Sequence, residues 1–142
     1  MPLTPFAAWK LTHLGSASAA DNADPERDGL GALAEYGLAL LPENHDVQPG
    51  VSAFNYPEGR RIRLIVQRDP DHSDITIEIL ATDNLVAGPW TVIATSTLGS
   101  AFTGPGYYSG ETATSGLKTV EIRDTVNMTS ASKRFLKLRF TH

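Results

Sequence analysis

The chain has 142 residues, of which 41% are hydrophobic and 20% are charged, and its formal net charge is −4. This size and composition fit one ordinary folded domain, and they exclude two large domains and a disordered chain. No apolar run is long enough to span a membrane, and a mildly acidic chain without a basic stripe is unsuited to nucleic acid. Cysteine is absent, so disulfides, thiolate metal sites and cysteine nucleophiles are excluded.

Two short helices are predicted in the first third of the chain. Thr4 and Pro5 form a typical helix start and Gly15 a typical stop around apolar residues. A second helical pattern runs from Leu30 to Leu41 and ends before Pro42. Residues 1–50 contain two basic and seven acidic side chains, and several of the acids lie between the two helices.

After a polar connection over residues 43–50, apolar residues alternate with a period of two, which predicts at least five strands. The predicted inward residues are Ile62, Leu64, Ile77, Ile79, Trp90, Val92, Val120, Ile122, Leu136 and Leu138. On the last strand, Lys137 and Arg139 are predicted to face outward. Turn sequences at Asp69–His72 and Ala87–Pro89 predict that the strands on either side of each turn pair antiparallel.

These elements predict a mainly β chain with a small antiparallel β-sandwich over residues 51–142. A single open sheet would bury too little apolar surface to fold on its own, so two facing sheets are expected. Residues 1–46 form the preceding segment, with two short helices flanking an acidic loop. We expect both parts to belong to one compact module.

The acidic loop has the register of a twelve-residue calcium loop, which needs oxygen ligands at positions 1, 3, 5, 7 and 12 and a glycine at position 6. When Asp24 is position 1, Gly29 is position 6. The candidate ligands are then Asp24, Glu26, Asp28, the Leu30 carbonyl and Glu35. The pattern predicts bound Ca²⁺ in a loop similar to those of EF-hands, dockerins and thrombospondin type 3 repeats. Dockerins pair two such loops, so a cohesin-type partner is not expected.

A simpler interpretation of the acidic loop remains open. Glu26 is longer than the aspartate usual at position 3, and Arg27 brings a positive charge into the loop. In this alternative, Asp28 is the N-cap of the second helix, Glu35 is solvated and the other acids are exposed near the helix start.

A glycine-rich stretch over Thr103–Gly110 carries two adjacent aromatic residues, Tyr107 and Tyr108. Aromatic faces on a loop of a sandwich can stack against sugar rings, so carbohydrate is a candidate ligand. The alternative is that these tyrosines cover the edge of the core.

Other polar groups give weaker signals. The set Asp69, Asp71, His72 and Asp74 surrounds Pro70 and is more simply a solvated hairpin turn than a metal cluster. His13, His45 and His142 have no spacing typical of a zinc site or a catalytic triad. A Gly-x-Ser-x-Gly elbow is missing from the sequence, so an enzyme is not expected.

Four motifs, beginning with Phe6-x-x-Trp9, occur in order along the chain. The others are Asp24-Pro-Glu-Arg-Asp28-Gly-Leu-Gly-Ala-Leu-Ala-Glu35-Tyr36, Ala81-Thr-Asp-Asn-Leu85 with Trp90-Thr-Val92, and Leu117–Asp124 with Arg134-Phe-Leu-Lys-Leu-Arg139. Together they resemble the C-terminal modules of large exported proteins of Verrucomicrobia and Planctomycetes. There the corresponding patterns read D-P-D-G-D-G-L-x-N-L-L-E-Y-A-L-G, S-S-D-L-x-x-W and R-F-L-R-L-R.

The resemblance implies a non-catalytic accessory module at the C-terminus of a longer secreted or cell-surface protein. Such a module serves export, surface attachment or protein–protein interaction. Its implied partners are the domains upstream in the parent protein and the export machinery or a surface component. The first residues lack the features of a signal peptide, which is expected if the signal lies further upstream in a longer precursor. A carbohydrate-binding module is the alternative.

Overall fold

The computed structural model describes residues 2–44, 46, 49–128 and 133–142, and within these ranges two short helices precede seven strands. The elements are α1 Pro5–Leu14, α2 Ala32–Gly37, β1 Val51–Tyr56, β2 Gly59–Arg68, β3 Thr76–Thr82, β4 Thr91–Ser96, β5 Tyr107–Thr114, β6 Leu117–Arg123 and β7 Phe135–Thr141. Neither helix has the length and apolar character that crossing a membrane requires.

The strands form the two antiparallel sheets of a small β-sandwich, which confirms the predicted fold class. One sheet has the strand order β1-β2-β6-β5, and the other has the order β4-β3-β7. Side chains from both sheets meet in one hydrophobic core. Its buried members from the strands are Leu64, Val66, Ile77, Ile79, Ala81, Ile93, Ala94, Val120 and Ile122.

Two strands, β1 and β5, lack the alternation that predicts the others. β1 pairs with β2 across a two-residue turn. β5 begins at Tyr107, inside the stretch that was expected to be a loop, and its register with β6 shifts twice between Tyr107 and Thr112. β5 and β6 are joined through Ser115 and Gly116, which both have positive φ, as two-residue hairpin turns of type I′ require.

The turn at Asp69–His72 does not close a hairpin. β2 pairs with β1 and β6, whereas β3 pairs with β4 and β7, so this turn carries the chain from one sheet to the other. The predicted pairing across it is wrong, because turn chemistry reverses the chain without deciding which sheet the next strand joins. The predicted pairing of β3 with β4 across Ala87–Pro89 is confirmed.

A β-bulge in β4 overturns part of the predicted core. Ile79 pairs with Ala94 and Leu80 pairs with Val92, so Ile93 is an extra residue between them. Ile93 is 1% exposed and Val92 is 36% exposed. The predicted inward positions of Val92 and Trp90 are therefore wrong, since the bulge reverses the alternation at this point. Trp90 is half-buried, and the ammonium group of Lys137, an exposed residue on β7, lies over its ring.

The other predicted core positions agree with the structure. Six of them are buried, namely Ile62, Leu64, Ile77, Ile79, Val120 and Ile122. On β7, Leu136 and Leu138 are partly buried against the core, whereas Lys137 and Arg139 are exposed. Among the described strands, β7 pairs only with β3 and is an edge strand of its sheet.

Helix α1 begins and ends as its sequence predicts. The Thr4 hydroxyl oxygen accepts a hydrogen bond from the backbone N–H of Ala7 at 3.2 Å, and Gly15 ends the helix with φ of +77°. The backbone N–H of Phe6 donates to Asp74 at 2.8 Å, which ties the start of α1 to the connection between β2 and β3.

Helix α2 is shorter than the predicted Leu30–Leu41. Ala39 has φ of +56° and donates to the Tyr36 carbonyl, and the N–H of Leu40 donates to the Glu35 carbonyl at 2.8 Å. These two bonds form a Schellman motif, which closes the helix at Gly37. The helix therefore stops well before Pro42, and an alanine fills the left-handed position that glycine usually takes.

α2 packs beside β7 and helps to close the sandwich. Leu30, just before the helix, and Leu38, just after it, belong to the same core cluster as the strands. A methyl group on Gly37 would lie 2.5 Å from the ring of Phe140 on β7, so this close approach requires glycine. A cavity of about 390 Å³ remains between α2, β1 and β7.

The bulge in β4 generates a prediction about two adjacent residues. Ile93→Ala should lower the free energy of unfolding by about 2–5 kcal/mol because it leaves a cavity in the core. Val92→Ala should lower it by less than about 1 kcal/mol, since this side chain is partly solvent-exposed. Denaturant unfolding of both variants measures the difference. Equal losses, or a larger loss for Val92→Ala, would contradict the bulged register.

Candidate metal centre

The acidic loop is folded around the side chain of Asp24. One carboxylate oxygen of Asp24 accepts from the backbone N–H of Asp28 at 3.1 Å, and the other accepts from the N–H of Gly29 at 3.0 Å. Gly29 has φ of +89°, which is the left-handed conformation expected of the glycine at position 6. Arg27 is also left-handed, with φ of +58°. The D-P-D-G-D-G-L pattern, which this loop resembles, has glycine at that position.

The chain before the loop holds the helix that follows it. The N–H of Ala32 donates to the Ala23 carbonyl at 3.0 Å, and the N–H of Leu33 donates to the Asp21 carbonyl at 2.8 Å. These bonds satisfy two N–H groups of the first turn of α2, which have no partner within a helix. Gly31 allows the approach, because a Cβ there would lie 2.9 Å from the Cα of Asn22.

Asp28 is not the N-cap of α2. The helix begins at Ala32, its N-cap is Gly31, and no side chain caps it. Instead, one carboxylate oxygen of Asp28 accepts from the N–H of Leu30 at 2.9 Å, and the other accepts from the N–H of Asp46 at 2.7 Å. The capping interpretation of Asp28 is therefore wrong.

Glu35 is not solvated, which contradicts the second part of the same interpretation. Its residue surface is 0% exposed, and neither carboxyl oxygen has a hydrogen-bond partner among the described residues. Glu26 belongs to the same cluster of carboxyl groups, and two carboxyl groups can share a hydrogen bond only when one of them carries a proton. Burial, the side chain of Glu26 and the negative charges of Asp28 and Asp24 together raise the pKa of Glu35 to about 9, and burial is the largest of these causes.

The four predicted carboxylates converge on one point. Asp24, Glu26, Asp28 and Glu35 each offer an oxygen, and these four oxygens all lie within 4.8 Å of one another. The two carboxylate oxygens of Glu26 are buried without a hydrogen-bond partner, like those of Glu35. The fifth predicted ligand is the backbone carbonyl of Leu30, whose side chain is buried in the sandwich core.

This arrangement is unfavourable unless a positive charge joins it. Buried carboxylates need partners, and like charges a few ångströms apart repel one another strongly away from water. The repulsion is relieved when Glu35 takes up a proton or when a cation binds between the four groups. The acidic cluster therefore has the chemistry to hold a metal ion, and its donor atoms are all oxygens.

Asp46 lies beside the acidic loop, although no motif in the sequence marks it as a site residue. This residue lies in the connection before β1, and its backbone N–H binds the Asp28 carboxylate. Its only signal in the sequence was its contribution to the excess of acid in residues 1–50.

The candidate tyrosines do not form a joint platform. Tyr107 is partly buried and packs against the core, as the alternative interpretation expects. Tyr108 is 43% exposed on β5, with the Arg123 guanidinium 3.9 Å from its ring centroid and the Tyr56 ring 5.4 Å away. Only Tyr108 of this pair therefore offers its ring at the surface.

Two members of the group around Pro70, His72 and Asp74, make structural contacts, whereas Asp71 is exposed as a solvated turn predicts. Asp74 accepts from the Tyr36 hydroxyl at 2.6 Å as well as from α1, and the His72 ring stacks on Tyr36 with centroids 3.8 Å apart. Within the described ranges, these residues do not come together as a group of metal ligands.

The remaining histidines are spread over the molecule. His13 contacts Glu43 at 2.7 Å, and His142 contacts Asp21 at 2.7 Å. His45 lies outside the described residues.

No family model, curated protein or solved structure matches the chain.

The metal-free chain should lose stability as the pH rises. Because the pKa of Glu35 is raised from 4.5 to about 9 by folding, its contribution is fully present below the lower value and is lost as the pH rises through the higher one. With chelator present, the melting temperature should therefore fall between about pH 5 and pH 9. Glu35→Gln, which is neutral and similar in shape, should flatten this fall. Identical profiles for both proteins would contradict the environment assigned to Glu35.

Proposed function

We propose that the chain is a non-catalytic accessory module stabilised by Ca²⁺ at the acidic cluster. The observation that carries the proposal is Glu35, a fully buried carboxyl group that has no hydrogen-bond partner among the described residues and clusters with three further carboxylates. Such a group takes up a proton or binds a cation, and a hard divalent cation would neutralise the neighbouring carboxylates as well.

The donor set favours calcium over other metals. Zinc and copper prefer imidazole and thiolate, whereas carboxylate and carbonyl oxygens suit calcium and magnesium. Ca²⁺ takes about 6–8 oxygens in a flexible geometry, while Mg²⁺ demands a near-octahedral shell and usually keeps several waters. Four carboxylates, one of which can bind through both oxygens, together with the Leu30 carbonyl approach the number that calcium needs.

Calcium should raise the melting temperature of the chain. An ion that binds only the folded state adds about 2.7 kcal/mol at 100 times its Kd. At roughly 3 °C per kcal/mol for a chain of this size, the shift is about 8 °C. Glu35→Gln should lose most of this shift, whereas Asp71→Asn, which removes an exposed carboxylate in the β2–β3 connection, should keep it.

Titration calorimetry and thermal melts with Ca²⁺, Mg²⁺ or chelator measure these effects. A larger shift with Ca²⁺ than with Mg²⁺ at equal concentration is expected. Absence of both binding heat and a melting shift at millimolar Ca²⁺ would exclude the calcium site.

We further propose that the module belongs to a longer exported protein and works at the cell surface or outside the cell. This rests on the resemblance to C-terminal modules of exported proteins. Calcium sites in extracellular modules typically have Kd values of about 10⁻⁴–10⁻³ M, so millimolar calcium outside a cell would fill a modest site. There the module would serve export, surface attachment or binding to another protein, with upstream domains as its first neighbours.

Removing residues 1–142 from the longer protein should reduce its delivery to the surface or its retention there. Surface labelling and fractionation measure both quantities, and Asp71→Asn in the intact protein is the matched control. Normal delivery and retention without the module would exclude its proposed role in export and surface attachment. Loss of polysaccharide binding alone would support the alternative, in which Phe54 and Tyr108, each 43% exposed on the outer face of the four-stranded sheet, contact sugar rings.

A further inference from the structure

The connection between α2 and β1 brings the backbone of a further acidic residue against the acidic cluster. Asp46 follows Glu35 by eleven residues and lies outside the twelve-residue loop. Its backbone N–H donates to Asp28 at 2.7 Å, and the acceptor is one of the two oxygens of a predicted ligand. The backbone of Asp46 therefore lies beside one carboxylate of the cluster, whereas its own carboxylate is outside the group of oxygens that lie within 4.8 Å of one another.

Unpartnered buried carboxylate oxygens occur in the described part of the chain on only three residues. Both oxygens of Glu26, both oxygens of Glu35 and one oxygen of Asp46 are in this state. A buried carboxylate oxygen without a donor costs free energy, and two other acidic residues that are buried or partly buried have hydrogen-bond partners. Asp74, for example, accepts two hydrogen bonds, and Asp124 is held by both guanidinium nitrogens of Arg134. The same deficiency on Asp46 as on two members of the cluster indicates a shared missing partner.

Basic side chains do not supply that partner. None of Asp24, Glu26, Glu35 and Asp46 forms an ion pair with a described lysine, arginine or histidine. The negative charge of Asp46 thus adds to that of the cluster instead of being neutralised nearby.

We propose that Asp46 is a fifth carboxylate of the divalent-cation site, supplied by the connection between α2 and β1. This inference rests on the proposed calcium site. The site would then offer seven oxygens, within the range of about 6–8 that calcium prefers. Two of them come from Glu35, one is the Leu30 carbonyl, and one comes from each of Asp24, Glu26, Asp28 and Asp46. Five carboxylates also disfavour the smaller, more strongly hydrated Mg²⁺, which rarely binds in an all-protein cage.

The inferred ligand gives the ion a second structural task. Asp46 is separated by a few residues from Val51, where β1 begins, and β1 is the edge strand of the four-stranded sheet. An ion held by Glu35 on α2 and by Asp46 would join the helical segment to the entrance of that sheet. Calcium should therefore slow hydrogen exchange in the first part of β1 as well as in the acidic loop.

Calorimetric titration of the full chain with CaCl₂ tests the inference. Asp46→Asn keeps the backbone N–H that binds Asp28 and removes only the carboxylate charge, and it should weaken Ca²⁺ binding by about 10–100-fold. Glu43→Gln is the matched control, because it removes the same charge from an exposed side chain three residues away. In high salt, distant charges are screened, so the effect of Asp46→Asn should persist there while any effect of Glu43→Gln disappears.

The outcomes separate this inference from the proposed function. If the native chain binds Ca²⁺ and Asp46→Asn binds it equally well, or only as much more weakly as Glu43→Gln, the role of Asp46 is excluded and the calcium site stands. If the native chain binds no Ca²⁺, both the proposed function and this inference are excluded.

Melting in chelator should show that Asp46→Asn is folded and no less stable than the native chain. At saturating Ca²⁺, the variant should keep exchange protection in the loop but lose it in β1; full protection of β1 would overturn the inference.

Discussion

The structure depends on the burial of one carboxyl group, that of Glu35, in the helix that also closes the sandwich. Moving an isolated carboxylate out of water is so unfavourable that buried carboxylates are normally protonated, paired with a basic side chain or bound to a metal ion. Glu35 has three other acids beside it and no donor of its own. The proton or cation that neutralises Glu35 therefore also affects the stability of α2.

Tertiary contacts stabilise α2, which is too short to form on its own. A helix of six residues is far below the length at which isolated helices form in water, so tertiary contacts must hold it. Those contacts are Leu30 and Leu38 in the core and the contact of Gly37 with Phe140. Because the ligand-bearing helix is also part of the hydrophobic core, the acidic site and the sandwich are coupled: disturbing one changes the free energy of the other.

Much of the fold could be predicted from the sequence because its signals are local. The cap and stop of α1, the alternating strands and the antiparallel sandwich all follow from residues close together in the chain. The signals failed where distant contacts decide the outcome. The bulge at Ile93 depends on pairing with β3, and the end of α2 depends on a backbone motif built on alanine. The crossing at Asp69–His72 depends on the pairing of β3 with β4 and β7, which both lie further along the chain than that turn.

The acidic site shows the same division. The spacing from Asp24 to Glu35 was enough to predict which four carboxylates meet, because a short loop and one helical turn bring them together. The complete burial of Glu35 was not visible in the sequence, since it depends on the position of α2 against the sandwich. Asp46 was missed for a similar reason: its approach is made by a connection without periodicity, and its backbone bond to Asp28 leaves no pattern in the sequence.

The edge position of β7 has a consequence for how copies of the chain meet. An edge strand exposes backbone N–H and C=O groups that can recruit a strand from another molecule and begin a fibre. Lys137 and Arg139 are exposed on β7, and a second β7 pairing with it would bring the cationic side chains of both copies close together. Lysine on an edge strand is a common natural defence against such growth. The charges of β7 therefore oppose extension of this sheet into a cross-β assembly.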